Sequence, residues 1–173
     1  NATAIRDVSS SFLGPILSNA QAIRHLSIHI TSNTQLQQLF TSSGADFINL
    51  ESLSLSIQHF DTNSPSLITA FHNSPRLTRV SFDLNGCPPS PSLIQLPWAQ
   101  LEQLNVTGAS ILPADAFRSL LSACTSLRRA SLWVEDALDE NTPTNDISIV
   151  TLPSLTHLSV SFYGRHEKTA SSL

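Results

Sequence analysis

The groups able to do chemistry in this chain are its many serines, six histidines and two cysteines, and their spacing assembles none of the usual reactive sets. No serine lies in a Gly-x-Ser-x-Gly turn, and no serine, histidine and carboxylate fall at spacings that would join a nucleophile to its base and an orienting acid. Five glycines supply no loop that could cradle a phosphate. His25 and His29 stand four apart, the interval at which a helix presents two metal ligands on one side. In a strand the same interval separates them by about 13 Å, too far to share an ion. Cys87 in a proline-rich stretch and Cys124 at a helix end have no Cys or His partner at ligand spacing, so both read as ordinary thiols. No catalytic residue, metal or cofactor is expected. A hydrolase using one of the serines is the enzymatic alternative, and a serine-reactive probe would test it.

What remains is binding chemistry. Trp133, Arg129 and Arg79 are the side chains most able to anchor a partner, since Trp and Arg dominate the energetics of protein interfaces. Asp83 and His157 complete the candidate set. Partial cover of Trp133 by the acidic stretch that follows it is the competing explanation, because Trp seldom stays fully exposed. Whether these residues meet depends on the elements that carry them.

The segment from Leu50 to Ile57 alternates apolar and small polar residues, which puts Leu53, Leu55 and Ile57 on one side of a strand and Ser52, Ser54 and Ser56 on the other. Five other stretches repeat it, giving strands near 23–30, 50–57, 77–84, 101–108, 127–134 and 155–162, with starts separated by 27, 27, 24, 26 and 28 residues. Apolar residues hold the first, fourth and sixth places of each, as in Leu101, Leu104 and Val106. This L-x-x-L-x-L pattern and its period are those of leucine-rich repeats. The expected fold is therefore α/β: one leucine-rich-repeat domain over 1–173, an open solenoid with a parallel concave sheet and short convex helices and loops.

Alternation sends the third, fifth and seventh places to the concave side. The fifth reads Ser27, Ser54, Ser81, Asn105, Ser131 and Ser159, a row of small polar groups. Small residues suit strands stacked about 4.8 Å apart, and they would equally floor a channel for a peptide. The third place carries His25, Ser52, Arg79, Gln103, Arg129 and His157; the seventh carries His29, Ser56, Asp83, Thr107, Trp133 and Ser161. Trp98, at a Leu-Pro turn, is assigned to packing between units.

The connecting segments carry helix punctuation. Ser32 or Asn33 can cap a helix bearing Leu36, Leu39 and Phe40, and Ser64-Pro65 opens one bearing Leu67, Ile68 and Phe71. Pro113 precedes Phe117, Leu120, Leu121 and Cys124 at helical spacing, and a short helix is expected from Ser11. The run Asn85-Gly86-Cys87-Pro88-Pro89-Ser90-Pro91 must close its unit as a loop. The acidic, turn-rich segment 135–143 is expected to be a solvated, mobile loop.

Charged residues make up 13% of the chain, against roughly 25% in a usual soluble domain, so Ser, Thr, Asn and Gln supply the polar surface. A net charge of −4 with no basic run excludes nucleic acid as the expected partner. No apolar run is long enough to cross a bilayer, and two cysteines favour a reducing, intracellular compartment, cytoplasmic or nuclear. The sequons at Asn1 and Asn105 are then chance matches. The absence of any methionine points to an excerpt from a longer protein.

Two stretches carry a family resemblance: Leu96-Pro97-Trp98-Ala99-Gln100-Leu101-Glu102-Gln103-Leu104-Asn105-Val106 and Leu152-Pro153-Ser154-Leu155-Thr156-His157-Leu158-Ser159-Val160. In each a Leu-Pro descent feeds the next strand, and the wording resembles the leucine-rich repeats of fungal F-box-like proteins. The resemblance implies that an F-box, absent from this chain, lies upstream and docks on the adaptor of a cullin-RING ubiquitin ligase. It also implies that the repeats bind the protein to be ubiquitinated. An asparagine often found nine places into such repeats occurs only as Asn85, so the units are irregular. A structural or scaffolding repeat protein unrelated to ubiquitination is the alternative.

Overall fold

The computed structural model describes residues 2–6, 17–35, 46–59, 67–84, 89–107, 114–135 and 149–163. Among them, seven strands form one sheet in sequence order: β1 (Ala2–Arg6), β2 (His25–Ser32), β3 (Ser52–His59), β4 (Arg79–Leu84), β5 (Gln103–Thr107), β6 (Arg129–Glu135) and β7 (His157–Tyr163). Every neighbouring pair is parallel. Consecutive parallel strands require a crossover each time, which the connections of the repeat provide. The fold is thus α/β, a leucine-rich-repeat-like solenoid.

The apolar places set the register. Leu26 pairs with Leu53, Leu53 with Val80, Val80 with Leu104, Leu104 with Ala130 and Ala130 with Leu158, with no slip. A one-residue slip would turn every inward side chain to the other face. Leu26, Ile28, Ile30, Leu53, Leu55, Ile57, Val80, Phe82, Leu84, Leu104, Val106, Ala130 and Leu132 are all buried. Each such Leu, Ile or Phe contributes about 1.5–3 kcal/mol by leaving water, so this side of the sheet supplies the cohesion.

β1 is a seventh strand that the leucine pattern does not announce. It pairs in register with β2, Ala2 opposite His25 and Ile5 opposite Ile28, which places Thr3 where the other units carry an apolar fourth residue. The remaining strands begin two residues later than the apolar pattern suggests. From the unit starting at Leu50 onward, the second and third residues both donate their N–H to one carbonyl of the unit before. Arg24 O thus receives Glu51 and Ser52, and Glu51 O, Thr78 O, Glu102 O and Arg128 O repeat the arrangement, all at 2.8–3.2 Å. These shared bonds anchor the start of each strand, and the first-place residue belongs to a turn.

That turn is also common to six units. The first-place N–H bonds back three residues: Ile23 to Ala20, Leu50 to Phe47, Leu77 to Ser74, Leu101 to Trp98, Leu127 to Cys124 and Leu155 to Leu152. The accepting residues form a second inward column, in which Ala20, Phe47, Ser74, Trp98 and Cys124 are buried. Trp98 packs as expected: its ring lies 6.0 Å from Phe82 and its Nε1 donates to Ile94 O at 3.1 Å. Polar side chains tie the turns together. Asn49 Nδ2 donates to Gln21 O at 2.7 Å, and Gln100 Nε2 donates to Ser74 O and Leu77 O, both at 2.9 Å.

The far side of the stack is mixed. Helix α1 (Ala114–Ala123) follows Pro113, with Leu120, Leu121 and Cys124 buried and Phe117 packed against the core. At the end of β2, Ser32 Oγ accepts the N–H of Gln35 at 3.4 Å, and the Gln35 side chain accepts from the N–H and hydroxyl of Thr31, a reciprocal helix start. Ser32 is therefore the cap, and Leu36, Leu39 and Phe40 lie outside the described residues.

The helix expected over Leu67, Ile68 and Phe71 does not form. Ile68 is extended and bridges in parallel to Ile94, with Ile68 N–H bonded to Leu93 O at 2.9 Å and Gln95 N–H to Ile68 O at 2.8 Å. The proline-rich neighbour, which closes as a loop over 89–94, leaves an extended segment for Ile68 to pair with. Residues 8–16, Cys87 and 136–148 lie outside the described residues, and with them the short N-terminal helix start and most of the acidic segment. Leu17 packs on the core.

Candidate functional site

The sheet side opposite the core is polar, and its backbone scaffold is regular. His25, Ser52, Arg79, Gln103, Arg129 and His157 stand in one row of register partners, and Ser27, Ser54, Ser81, Asn105, Ser131 and Ser159 in the next. Each of these side chains is at least partly exposed, while the alternate residues are buried as far as β6. Parallel pairing thus carries residues 24 to 28 apart in the chain to adjacent positions about 4.8 Å apart.

Several polar groups on this side satisfy each other across units. Ser56 Oγ donates to Asp83 Oδ2 at 3.3 Å, Asn105 Nδ2 to Ser81 Oγ at 3.3 Å and Thr107 Oγ1 to Phe82 O at 3.3 Å. Gln58 Nε2 lies 3.4 Å from His29 Nε2. Such bonds hold polar groups of neighbouring units in one arrangement.

The five candidate residues fall into two groups. Arg79 and Arg129 line one open depression of about 350 Å³, together with Thr78, Glu102, Gln103 and Arg128. β5 lies between the two arginines, with Gln103 paired to both. His157 pairs with Arg129 in register but does not line the depression; its Nδ1 sits 2.9 Å from Thr156 Oγ1. Asp83 and Trp133 stand four residues further along β4 and β6, which puts them about 13 Å from the arginines of their own strands. Trp133 is 39% exposed. Strand rise thus places Trp133 at the opposite end of the same face from Arg79 and Arg129.

The electrostatics of the depression are uneven. Glu51 bridges Arg24 and Arg79, at 3.6 and 3.9 Å, so Arg79 is partly neutralised. Arg128 and Arg129 form no ion pair among the described residues. Three guanidinium groups against the one carboxylate of Glu102 leave a local formal charge of +2 in the lining, on a chain whose net charge is −4.

Pattern reading missed Thr78, Glu102 and Arg128. They hold the second place, which alternation assigns to neither side of a strand because it precedes the strand. A signal was present: the second place is charged at Arg24, Glu51, Glu102 and Arg128, in a chain with few charges.

His25 and His29 share the polar side, and no three His, Cys, Asp or Glu converge on a common point among the described residues. Cys124 is fully enclosed, and burial pushes its thiol from the ordinary 9.0 up to about 12. A thiol so held is neutral and a poor nucleophile. Asn105 of the second sequon lies in β5, half-buried and bonded to Ser81.

Comparison of the chain with protein-family models, with curated proteins and with solved structures gave no match. Among the described residues no helix is long and apolar enough to cross a membrane.

Proposed function

We propose that this chain is a non-catalytic protein-binding module that holds its partner on the polar side of the sheet. The observation that carries this is the exposed Trp133, set at one end of an ordered polar floor whose other end is an arginine-lined depression. A large aromatic group and arginines standing out from small, mutually bonded neighbours are the composition of an interface anchor. Within that reading, the resemblance of 96–106 and 152–160 to F-box-like repeats favours a substrate-recognition segment of a cullin-RING ubiquitin ligase.

Two experiments test the two levels. Trp133→Ala combined with Arg129→Ala is expected to leave the circular dichroism spectrum and melting temperature of the domain unchanged while abolishing partner capture. Loss of the fold in that variant would make both residues structural. The full-length protein is expected to co-purify with a cullin-RING adaptor; a scaffolding role takes precedence if it does not.

A further inference from the structure

We propose that the depression between β4 and β6 receives an acidic side chain of an extended peptide, and that a large apolar residue four positions away in that peptide packs on Trp133. This rests on the protein-binding role argued above and specifies the ligand.

Charge complementarity identifies the first anchor. Arg128 and Arg129 are consecutive, both line the depression, and neither is ion-paired among the described residues. Thr78 and Gln103 in the same lining add neutral hydrogen-bonding groups. Planar guanidinium groups match a carboxylate through two parallel N–H···O bonds, and such charge-assisted pairs are stronger than neutral ones. Arg79 is held by Glu51 and contributes mainly position.

Geometry identifies the second anchor and the spacing. Arg129 and Trp133 lie on the same side of β6, four residues apart, so their bases are separated by about 13 Å. An extended peptide advances roughly 3.3 Å per residue, so four residues cover the same span. Ser81, Asn105 and Ser131 lie between the anchors. These short side chains leave a level path for a peptide backbone. The ligand is therefore a strand-like segment with Asp or Glu at one position and Leu, Phe or another large apolar residue at the fourth position beyond it, in either chain direction.

The test uses the whole chain and fluorescein-labelled Gly/Ser-rich peptides read by fluorescence polarisation. The first carries Glu and, four residues on, Leu; the second replaces Glu by Gln; the third moves Leu next to Glu. The first peptide is expected to bind at least about tenfold more tightly than either control, in line with the loss of a charge-assisted anchor. Its affinity should fall on raising salt from about 50 to about 300 mM, since the pairs are open to solvent. Arg128→Gln with Arg129→Gln should abolish the preference for Glu over Gln, with an unchanged melting temperature. Equal binding of the Glu and Gln peptides would overturn the acidic anchor. If Trp133→Ala then still removed both, the protein-binding role of the face would stand. Equal binding whatever the Leu spacing would overturn the two-anchor arrangement. Displacement of the peptide by inorganic phosphate far beyond chloride of equal ionic strength would make the depression a small-anion site and overturn the peptide assignment. No binding by any of the three counts against the proposal, and loss of the natural partner's capture in Trp133→Ala would show that the failure is not one of the binding face.

Discussion

Replacing Ser74 by Ala should make the protein more stable. Ser74 occupies the inward column of turn residues, where the other units carry Ala20, Phe47, Trp98 and Cys124, and it is 1% exposed. Its hydroxyl has no hydrogen-bond partner among the described residues. Its carbonyl carries the structural duties of the position, accepting from Leu77 N–H at 3.0 Å and from Gln100 Nε2 at 2.9 Å, and the substitution leaves that carbonyl in place. A buried hydroxyl that bonds to nothing costs about 1–3 kcal/mol relative to its hydrated state. Removing one oxygen opens a void of roughly 15–20 Å³, which costs about 0.4–0.5 kcal/mol at the usual cavity coefficient. The net gain is about 0.5–2.6 kcal/mol, or a rise in melting temperature of roughly 1–10 °C for a domain of this size. Urea unfolding followed by circular dichroism should show a higher midpoint with an unchanged slope. A midpoint equal to or below that of the parent protein would show that the hydroxyl is bonded, and the reasoning would fail. Ser74→Cys, which copies the residue at the same place in a later unit, should also stabilise, because a thiol loses less on burial.

The two tryptophans should separate spectroscopically. With Trp98 enclosed at 7% exposure and Trp133 at 39%, Trp98→Phe should leave red-shifted emission that acrylamide quenches readily, and Trp133→Phe should leave blue-shifted, protected emission; the reverse would mean that Trp133 is covered. Cys124 should make stability fall in alkali. Its thiol is raised to about 12 in the folded chain, so above the ordinary value of 9.0 the unfolded state loses the proton first and is favoured. Stability is thus intact below about pH 9 and falls as the pH climbs toward the folded value, and the advantage of the parent over Cys124→Ala should shrink by about 1 kcal/mol between about pH 8 and about pH 10. A constant difference would mean that the thiol is not desolvated.

The leucine pattern made the sheet legible because one periodicity settles three things at once: which residues turn inward, which strands neighbour each other and in what register. Leu53, Leu55 and Ile57 could be assigned from alternation alone, and their burial follows. β1 escaped because Thr3 stands at its fourth place, so no leucine marks it, and only Ile5 keeps the pattern. The strands start two residues after the first-place residue because that residue is inward for a different reason, the tight turn that its own N–H closes. The far side was least legible. Leu67, Ile68 and Phe71 suit a helix by spacing, but a helix needs no neighbour for its backbone groups, whereas Ile68 found a bonding partner in Ile94. That choice depends on the adjoining unit and is invisible within one.

The same separation explains why the candidate binding residues are only half legible in the sequence. A strand exposes its third, fifth and seventh residues whatever they are, so alternation could nominate Arg79, Arg129 and Trp133 as outward but could not say which of them meet. Meeting is decided across the sheet and along it on different scales: about 4.8 Å per strand and about 6.6 Å per pair of residues. Arg79 and Arg129, fifty residues apart in the chain, are two strands apart in space and share a depression. Arg129 and Trp133, four residues apart in the chain, are farther from each other than that, at about 13 Å. Sequence neighbours on one strand are therefore the distant candidates, and sequence strangers in one row are the close ones. A ligand that follows the strand direction would cross all three rows and sample both ends, whereas one that ran along the middle row, across the strands, would meet the run of serines. On the proposed binding role, specificity comes from the strand ends, and the regular middle of the sheet contributes the path between them.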